Sequence, residues 1–219
     1  PSVSTAGSRR INALRRSIRC APIARVNVTT AGKPSGITAT ATLIAVRANM
    51  DDAVTLTKAI KFAAQSPTRI IAIDRAFVTP VDMEMFNSAA HHYREHLFIV
   101  LAGDGGTDLD PAANARFGDK YPRAANLLVV AACDQKGALA PQSNWGAATV
   151  DVAVDIVSHF VTEEAASLPK DPNLSRIALA RITALAARLL AVEPHIRGAA
   201  FKERIDTIGI DGGAGGASS

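Results

Sequence analysis

Residues 96–106 read HLFIVLAGDGG and residues 120–154 read KYPRAANLLVVAACDQKGALAPQSNWGAATVDVAV, and these two segments decide the fold. Each contains an apolar run without polar alternation, at residues 97–102 and 127–132. Runs of this kind are typical of strands that are buried on both faces of a parallel sheet. The first run ends in a glycine-rich turn, and turns at the carboxyl ends of parallel strands are where open α/β sheets place their functional sites.

The order of short motifs in these segments resembles that of the subtilisin-like serine peptidases, the subtilase or S8 family. Five elements follow one another in the family's order and with nearly its spacing. The resemblance implies an α/β fold with three layers and a doubly wound, mostly parallel sheet, in an N-terminally truncated form. The matching elements are Ala102-Gly103-Asp104 at A-G-N, Tyr121-Pro122 at Y-P, residues 128–134 at the next strand, Ser143-Asn144-Trp145-Gly146 at S-N-Y-G, and Val150-Asp151-Val152-Ala153 at V-D-V-A.

Length and composition indicate a single domain, since 219 residues of which 48% are hydrophobic suffice for one sizeable core. We predict a basic arm over residues 1–25, the α/β domain over 26–210 and a flexible tail rich in glycine, alanine and serine over 211–219. No apolar run approaches 18 residues, so we expect no transmembrane helix.

Helical and strand patterns alternate along the domain, as they do in right-handed βαβ units. We predict a strand within residues 36–47, a helix over 51–65, a strand over 69–74 and a helix over 81–93. Two further helices are predicted over residues 177–192 and 197–210. An amphipathic helix is also predicted over residues 4–18, with apolar side chains at spacings of three and four.

Positive charge is concentrated at the start of the chain. Residues 1–50 contain eight lysines and arginines and no aspartate or glutamate, although the net charge of the chain is only +4. The first 25 residues have the composition of a mitochondrial import sequence, and a solvated basic helix face explains the pattern equally well. The arginines that we expect to contact an acidic partner are Arg9, Arg10, Arg15, Arg16 and Arg19.

The resemblance supplies three vestigial site positions: Ser4 at the catalytic histidine, Asp104 at the oxyanion-binding asparagine and Ser175 at the nucleophile. No histidine precedes His91, and the strand that carries the family's aspartate has no counterpart in the few residues before Ser4. An ionised Asp104 accepts hydrogen bonds only and repels a developing oxyanion. We therefore expect no functional catalytic residues and no peptidase activity.

Other interpretations of single residues stay open at this point. Ser175 also suits a helix N-cap, which requires no catalysis. His159 precedes Ser175 closely enough in sequence to be considered as an alternative base. His92 and His96 have the i, i+4 spacing of some metal ligands, but no further ligand motif accompanies them, so we expect no metal and no cofactor.

The sequence thus favours a catalytically inactive pseudoenzyme that serves as a structural subunit of a large organellar assembly. We expect a mitochondrial location, with a cytoplasmic one as the alternative, in a mitoribosome or a respiratory or ATP synthase complex. The expected partners are other protein subunits, and RNA through the basic segment. Two alternatives are a serine endopeptidase that uses Ser175 with triad residues from outside the chain, and a peptide-binding module in which Asp104 and Arg176 select the ligand.

Overall fold

A computed structural model describes residues 20–21, 44–49, 51–117, 122–134, 137–155 and 174–211. The predictions for the other residues stay predictions, and so do the limits of the basic arm and of the tail. The residues of interest that lie outside the described ranges are Ser4, Arg9, Arg10, Arg15, Arg16, Arg19, Tyr121 and His159.

Five parallel strands form one sheet in the spatial order β1-β5-β4-β3-β2. The strands are β1 (Cys20–Ala21), β2 (Ile70–Ala76), β3 (Leu97–Leu101), β4 (Leu127–Cys133) and β5 (Val152–Asp155). The described helices are α1 (Ala53–Gln65), α2 (Pro80–His92), α3 (Asp110–Arg116), α4 (Leu174–Val192) and α5 (Gly198–Asp211).

The central strands are buried on both faces, as their unbroken apolar runs predict. Every residue of β3, β4 and β5 is buried, and successive side chains point into two separate cores. Phe98 and Val100 face the core under α1 and α2, whereas Ile99 and Leu101 face the core under α4 and α5. The expected three-layer, doubly wound α/β architecture is therefore confirmed.

Helix starts follow from local hydrogen bonding. Asp52 caps α1 by accepting the backbone N–H groups of Val54 and Thr55. The hydrogen bond from the Thr55 side chain, together with these backbone bonds, lowers the pKa of Asp52. Thr79 caps α2, and the first residue of this helix is a proline. Proline has no backbone N–H, but the first N–H of a helix has no partner within the helix, so nothing is lost at this position. The helices predicted from residues 51, 81, 177 and 197 are all present, with starts displaced by one to three residues.

The strand predicted within residues 36–47 is wrong for its described part. Residues 44–49 form no regular element, and Ile44 and Val46 are 42% and 38% exposed. A β-branched segment becomes a strand only where a neighbouring strand pairs with its backbone, and among the described strands none does. No helix in the described part of the chain has the length and apolar character needed to cross a membrane.

Candidate functional site

The turn that follows β3 is held in one conformation by a single buried side chain. Asn144, which is 2% exposed, accepts hydrogen bonds from the backbone N–H groups of Gly105 and Thr107, both at 2.9 Å. Its amide Nδ2 donates to the carbonyl oxygen of Ala102 at 2.8 Å. The asparagine of the Ser-Asn-Trp-Gly motif is therefore a structural clasp for the glycine turn.

Gly103 is required at the point where this turn leaves the strand. Its φ is 97°, in the left-handed region that only glycine occupies freely. A Cβ at Gly103 would lie 2.8 Å from Nδ2 of Asn144, well inside contact distance. The glycine thus allows the turn to approach its clasp closely and to aim the next residue, Asp104, across the end of the sheet.

Asp104 reaches the first turn of α4. Its Oδ1 accepts a hydrogen bond from Oγ of Ser175 at 2.8 Å and another from the backbone N–H of Ser175 at 3.2 Å. Ser175 has an exposed fraction of 0%. The structure therefore brings together the two described members of the predicted site, at the carboxyl end of the sheet.

The N-cap interpretation of Ser175 needs correction. Ser175 lies within α4 (Leu174–Val192) and not at a cap position, and its hydroxyl donates to Asp104. The carboxylate of Asp104 also accepts the backbone N–H of Ser175, which is the bond that a capping side chain makes near the start of a helix. Negative charge at this end of a helix is also favoured by the helix dipole.

Arg176 forms an ion pair beside this contact. Its Nε lies 2.8 Å from Oδ1 of Asp74, in β2, and the two side chains are 60% and 52% exposed. The sequence identified Arg176 as a residue beside the site but missed Asp74, although an acid that ends an apolar strand run is a usable signal. The two charges engage each other in this structure.

The histidines in and just after α2 lie away from the site. His91, His92 and His96 precede β3, whereas Asp104 follows it, so they lie at the opposite end of the sheet. His96 follows the last residue of α2, which removes the helical i, i+4 geometry with His92. Burial lowers the pKa of His96. Within the described ranges, no group of three or more His, Cys, Asp or Glu side chains is placed to hold a metal ion.

A second polar cluster lies at the amino-terminal end of the sheet. Asp151 pairs with Arg123 and with Lys202 of α5, whose Nζ lies 2.7 Å from Oδ1, and its Oδ2 accepts the N–H of Val129 at 2.7 Å. Asp206, one turn beyond Lys202, has a buried Oδ1 that finds no hydrogen-bond partner among the described residues. Burial raises the pKa of Asp206, and Lys202 counteracts this. This cluster was not predicted, because its members lie far apart in sequence and meet only in the folded chain.

Comparison with known proteins gives matches to solved structures only. No protein-family model and no curated protein sequence matches the chain. A lanthipeptide protease matches with a TM-score of 0.50 at 14% identity, over 71% of this chain and 57% of that protein. The nisin leader peptidase NisP from Lactococcus lactis matches with a TM-score of 0.48 at 13% identity, over 69% of this chain and 56% of that protein. The epidermin leader peptide processing serine protease EpiP from Staphylococcus aureus matches with a TM-score of 0.46 at 16% identity, over 72% of this chain and 47% of that protein.

The match to the lanthipeptide protease supports a subtilisin-like arrangement of the sheet and its helices. At 14% identity this likeness shows the fold alone. The chain spans 57% of the length of that protein. Activity and partners therefore have to be argued from the residues of this chain.

Proposed function

We propose that this chain is a catalytically inactive domain of subtilisin-like fold that acts as a structural subunit of a larger assembly. One observation carries the proposed inactivity: the hydroxyl of Ser175, with an exposed fraction of 0%, donates its hydrogen to the carboxylate of Asp104. A serine nucleophile needs access to its substrate and a general base positioned to take its proton. Ser175 is committed to a structural bond in a closed environment.

The chemistry of Asp104 argues in the same direction. Acyl transfer requires hydrogen-bond donors aimed at the developing oxyanion, and an ionised carboxylate has no proton to donate. Loss of one such donor typically costs about 2.7–4 kcal/mol in the activation barrier. Here the carboxylate also occupies the backbone N–H of Ser175, which is a donor close to the nucleophile.

A histidine base near Ser175 is missing from the described residues. The three histidines around the end of α2 lie at the far end of the sheet. His195 follows the far end of α4, a helix of 19 residues, which corresponds to a length of about 28 Å. Hydrogen-bond reach is about 3 Å, so none of these side chains takes a proton from Ser175.

The assembly itself is proposed from the sequence. The acid-free residues 1–50 suit an acidic partner, either a protein surface or RNA phosphate, and a mitochondrial setting suits their composition. We expect an RNA that binds the arginines of residues 1–50 to do so with an affinity that falls steeply with salt concentration, because each neutralised phosphate releases counterions.

Activity-based labelling tests the proposal directly. The purified chain and its Asp104→Asn variant are treated with a fluorophosphonate probe, with Ser175→Ala as the matched control, and adducts are located by mass spectrometry. We expect no adduct at Ser175 in either protein, and co-sedimentation of the native chain with a large particle. An adduct at Ser175 that disappears in Ser175→Ala would show a working serine hydrolase and contradict the proposal.

A further inference from the structure

A groove of about 480 Å³ lies between α1 and α2, on the face of the sheet opposite α4 and Ser175. Its floor is apolar: Ile60 is 4% exposed, and Met85 and Ala89 pack against the same core. On its rim, Val81 is 63% exposed. The α1–α2 groove thus offers an apolar surface that no described residue covers.

The spacing of the lining residues determines what shape fits. Thr57, Ile60 and Lys61 line the groove from α1, while Val81, Met85 and Ala89 line it from α2, at helical spacings of three and four. Two helices satisfy their own backbone groups, so they offer ridges of side chains and no edge for strand pairing. The lining of α2 runs from residue 81 to 92, which corresponds to about 16 Å, or about three helical turns.

The charges along the groove select the chemistry of the occupant. Helix α1 contains Lys58 and Lys61 and no acidic residue. Lys61 lies on the rim and has no ion-pair partner among the described residues. The acid of the groove, Glu84, is already engaged within the chain. A binding partner that brings an acidic side chain to Lys61 therefore gains an attraction that no described residue supplies.

We propose that the α1–α2 groove binds an amphipathic helix of about three turns from another protein, with apolar side chains against Ile60 and Met85 and an acidic side chain at Lys61. The groove lies on the face away from Ser175, so this inference goes beyond the proposed function and does not depend on whether Ser175 is active. It identifies a partner by an acidic, helical motif with apolar residues at i, i+3 or i+4, and i+7.

Two synthetic peptides of about 14 residues test this, one with glutamates flanking an apolar i, i+4, i+7 stripe and one with lysines at the same positions. Each carries a fluorophore, and anisotropy is recorded while the full chain is titrated. We expect saturable binding of the acidic peptide, about fivefold tighter than that of the basic peptide at low salt. Absence of saturable binding up to about 1 mM chain would overturn the proposal, and so would equal affinity for both peptides.

Matched variants locate the site. Lys61→Glu reverses the preference between the two peptides, while Lys58→Glu, the same charge change outside the groove lining, preserves it. Val81→Ser weakens both peptides about threefold, whereas Val54→Ser, at a valine 62% exposed outside the lining, leaves both affinities unchanged. All four residues are exposed, so the variants keep the fold, which the circular dichroism spectrum verifies. The peptides would bind elsewhere, and the proposal would be contradicted, if Lys58→Glu changed the preference as much as Lys61→Glu or if Val54→Ser weakened binding as much as Val81→Ser.

Discussion

The carboxylate of Asp104 holds both the hydroxyl and the backbone N–H of Ser175, across 71 residues of sequence. The contact joins the turn after β3 to the first turn of α4, so it fixes a helix to the carboxyl end of the sheet. Because Ser175 is fully buried, this contact is part of the packing of α4 against the sheet.

Removing this contact is expected to destabilise the protein. Asp104→Ala leaves the buried hydroxyl and N–H of Ser175 without an acceptor and lowers the free energy of unfolding by about 1.5–3 kcal/mol. Ser175→Ala removes the hydroxyl alone and costs about 1 kcal/mol. Urea unfolding of both variants and of the double variant measures the coupling, which we expect to exceed about 0.5 kcal/mol. Additive effects would show that the two residues do not interact.

The clasp of the glycine turn gives a second prediction. Gly103→Ala forces a Cβ to 2.8 Å from Nδ2 of Asn144 at a φ of 97°, and we expect a loss of about 2 kcal/mol in the free energy of unfolding. Asn144→Ala abolishes three side-chain hydrogen bonds and costs about 2–3 kcal/mol. The double variant loses less stability than the sum of the two single variants, since the Cβ at residue 103 no longer meets the Asn144 side chain. Thermal unfolding of the three variants checks this, and fully additive losses would show that Asn144 does not hold the turn.

Asp206 predicts a dependence of stability on pH. Burial raises its pKa in the folded state, so the folded chain binds this proton more tightly than the unfolded chain does. The resulting stabilisation is complete below the usual carboxyl pKa of about 3.9 and is lost as the pH rises through the raised value. At neutral pH, Asp206→Asn therefore increases the free energy of unfolding by about 1 kcal/mol. Urea unfolding of both proteins between acid and neutral pH measures it, and equal stabilities of wild type and variant at neutral pH would contradict the prediction.

His96 predicts a loss of stability as the pH falls, which is opposite in direction to the effect of Asp206. Burial lowers its pKa, so the unfolded chain takes up this proton first as the pH falls. The stability that the neutral ring supports is present above the unfolded pKa of about 6.5 and is lost as the pH falls through the lowered value. We expect His96→Phe to remove this part of the acid sensitivity and His92→Gln, at an exposed position, to leave it intact. An identical pH profile for wild type and His96→Phe would refute the prediction.

The sequence predicted most of the sheet because its signals are local. The apolar runs of β3 and β4 lack polar alternation, and this pattern is typical of strands that are buried on both faces. Helix starts at Asp52 and Thr79 are equally local, since a capping side chain bonds to the next turn. The segment at residues 44–49 has similar strand propensity and still forms no strand, because pairing depends on a neighbour that lies elsewhere in the chain.

The local pattern of residues 97–106 was enough to predict a buried strand followed by a glycine turn, whereas the assignment of Asp104 to an oxyanion-binding position rests on a resemblance and stays a prediction. The contacts of Asp104 became known from the folded chain alone. Its partner Ser175, the pairing of Arg176 with Asp74 and the charge cluster around Asp151 all join residues that are far apart in sequence. Such contacts depend on how the helices pack on the sheet. A local pattern of residues does not encode this packing, so it does not predict which distant charges meet.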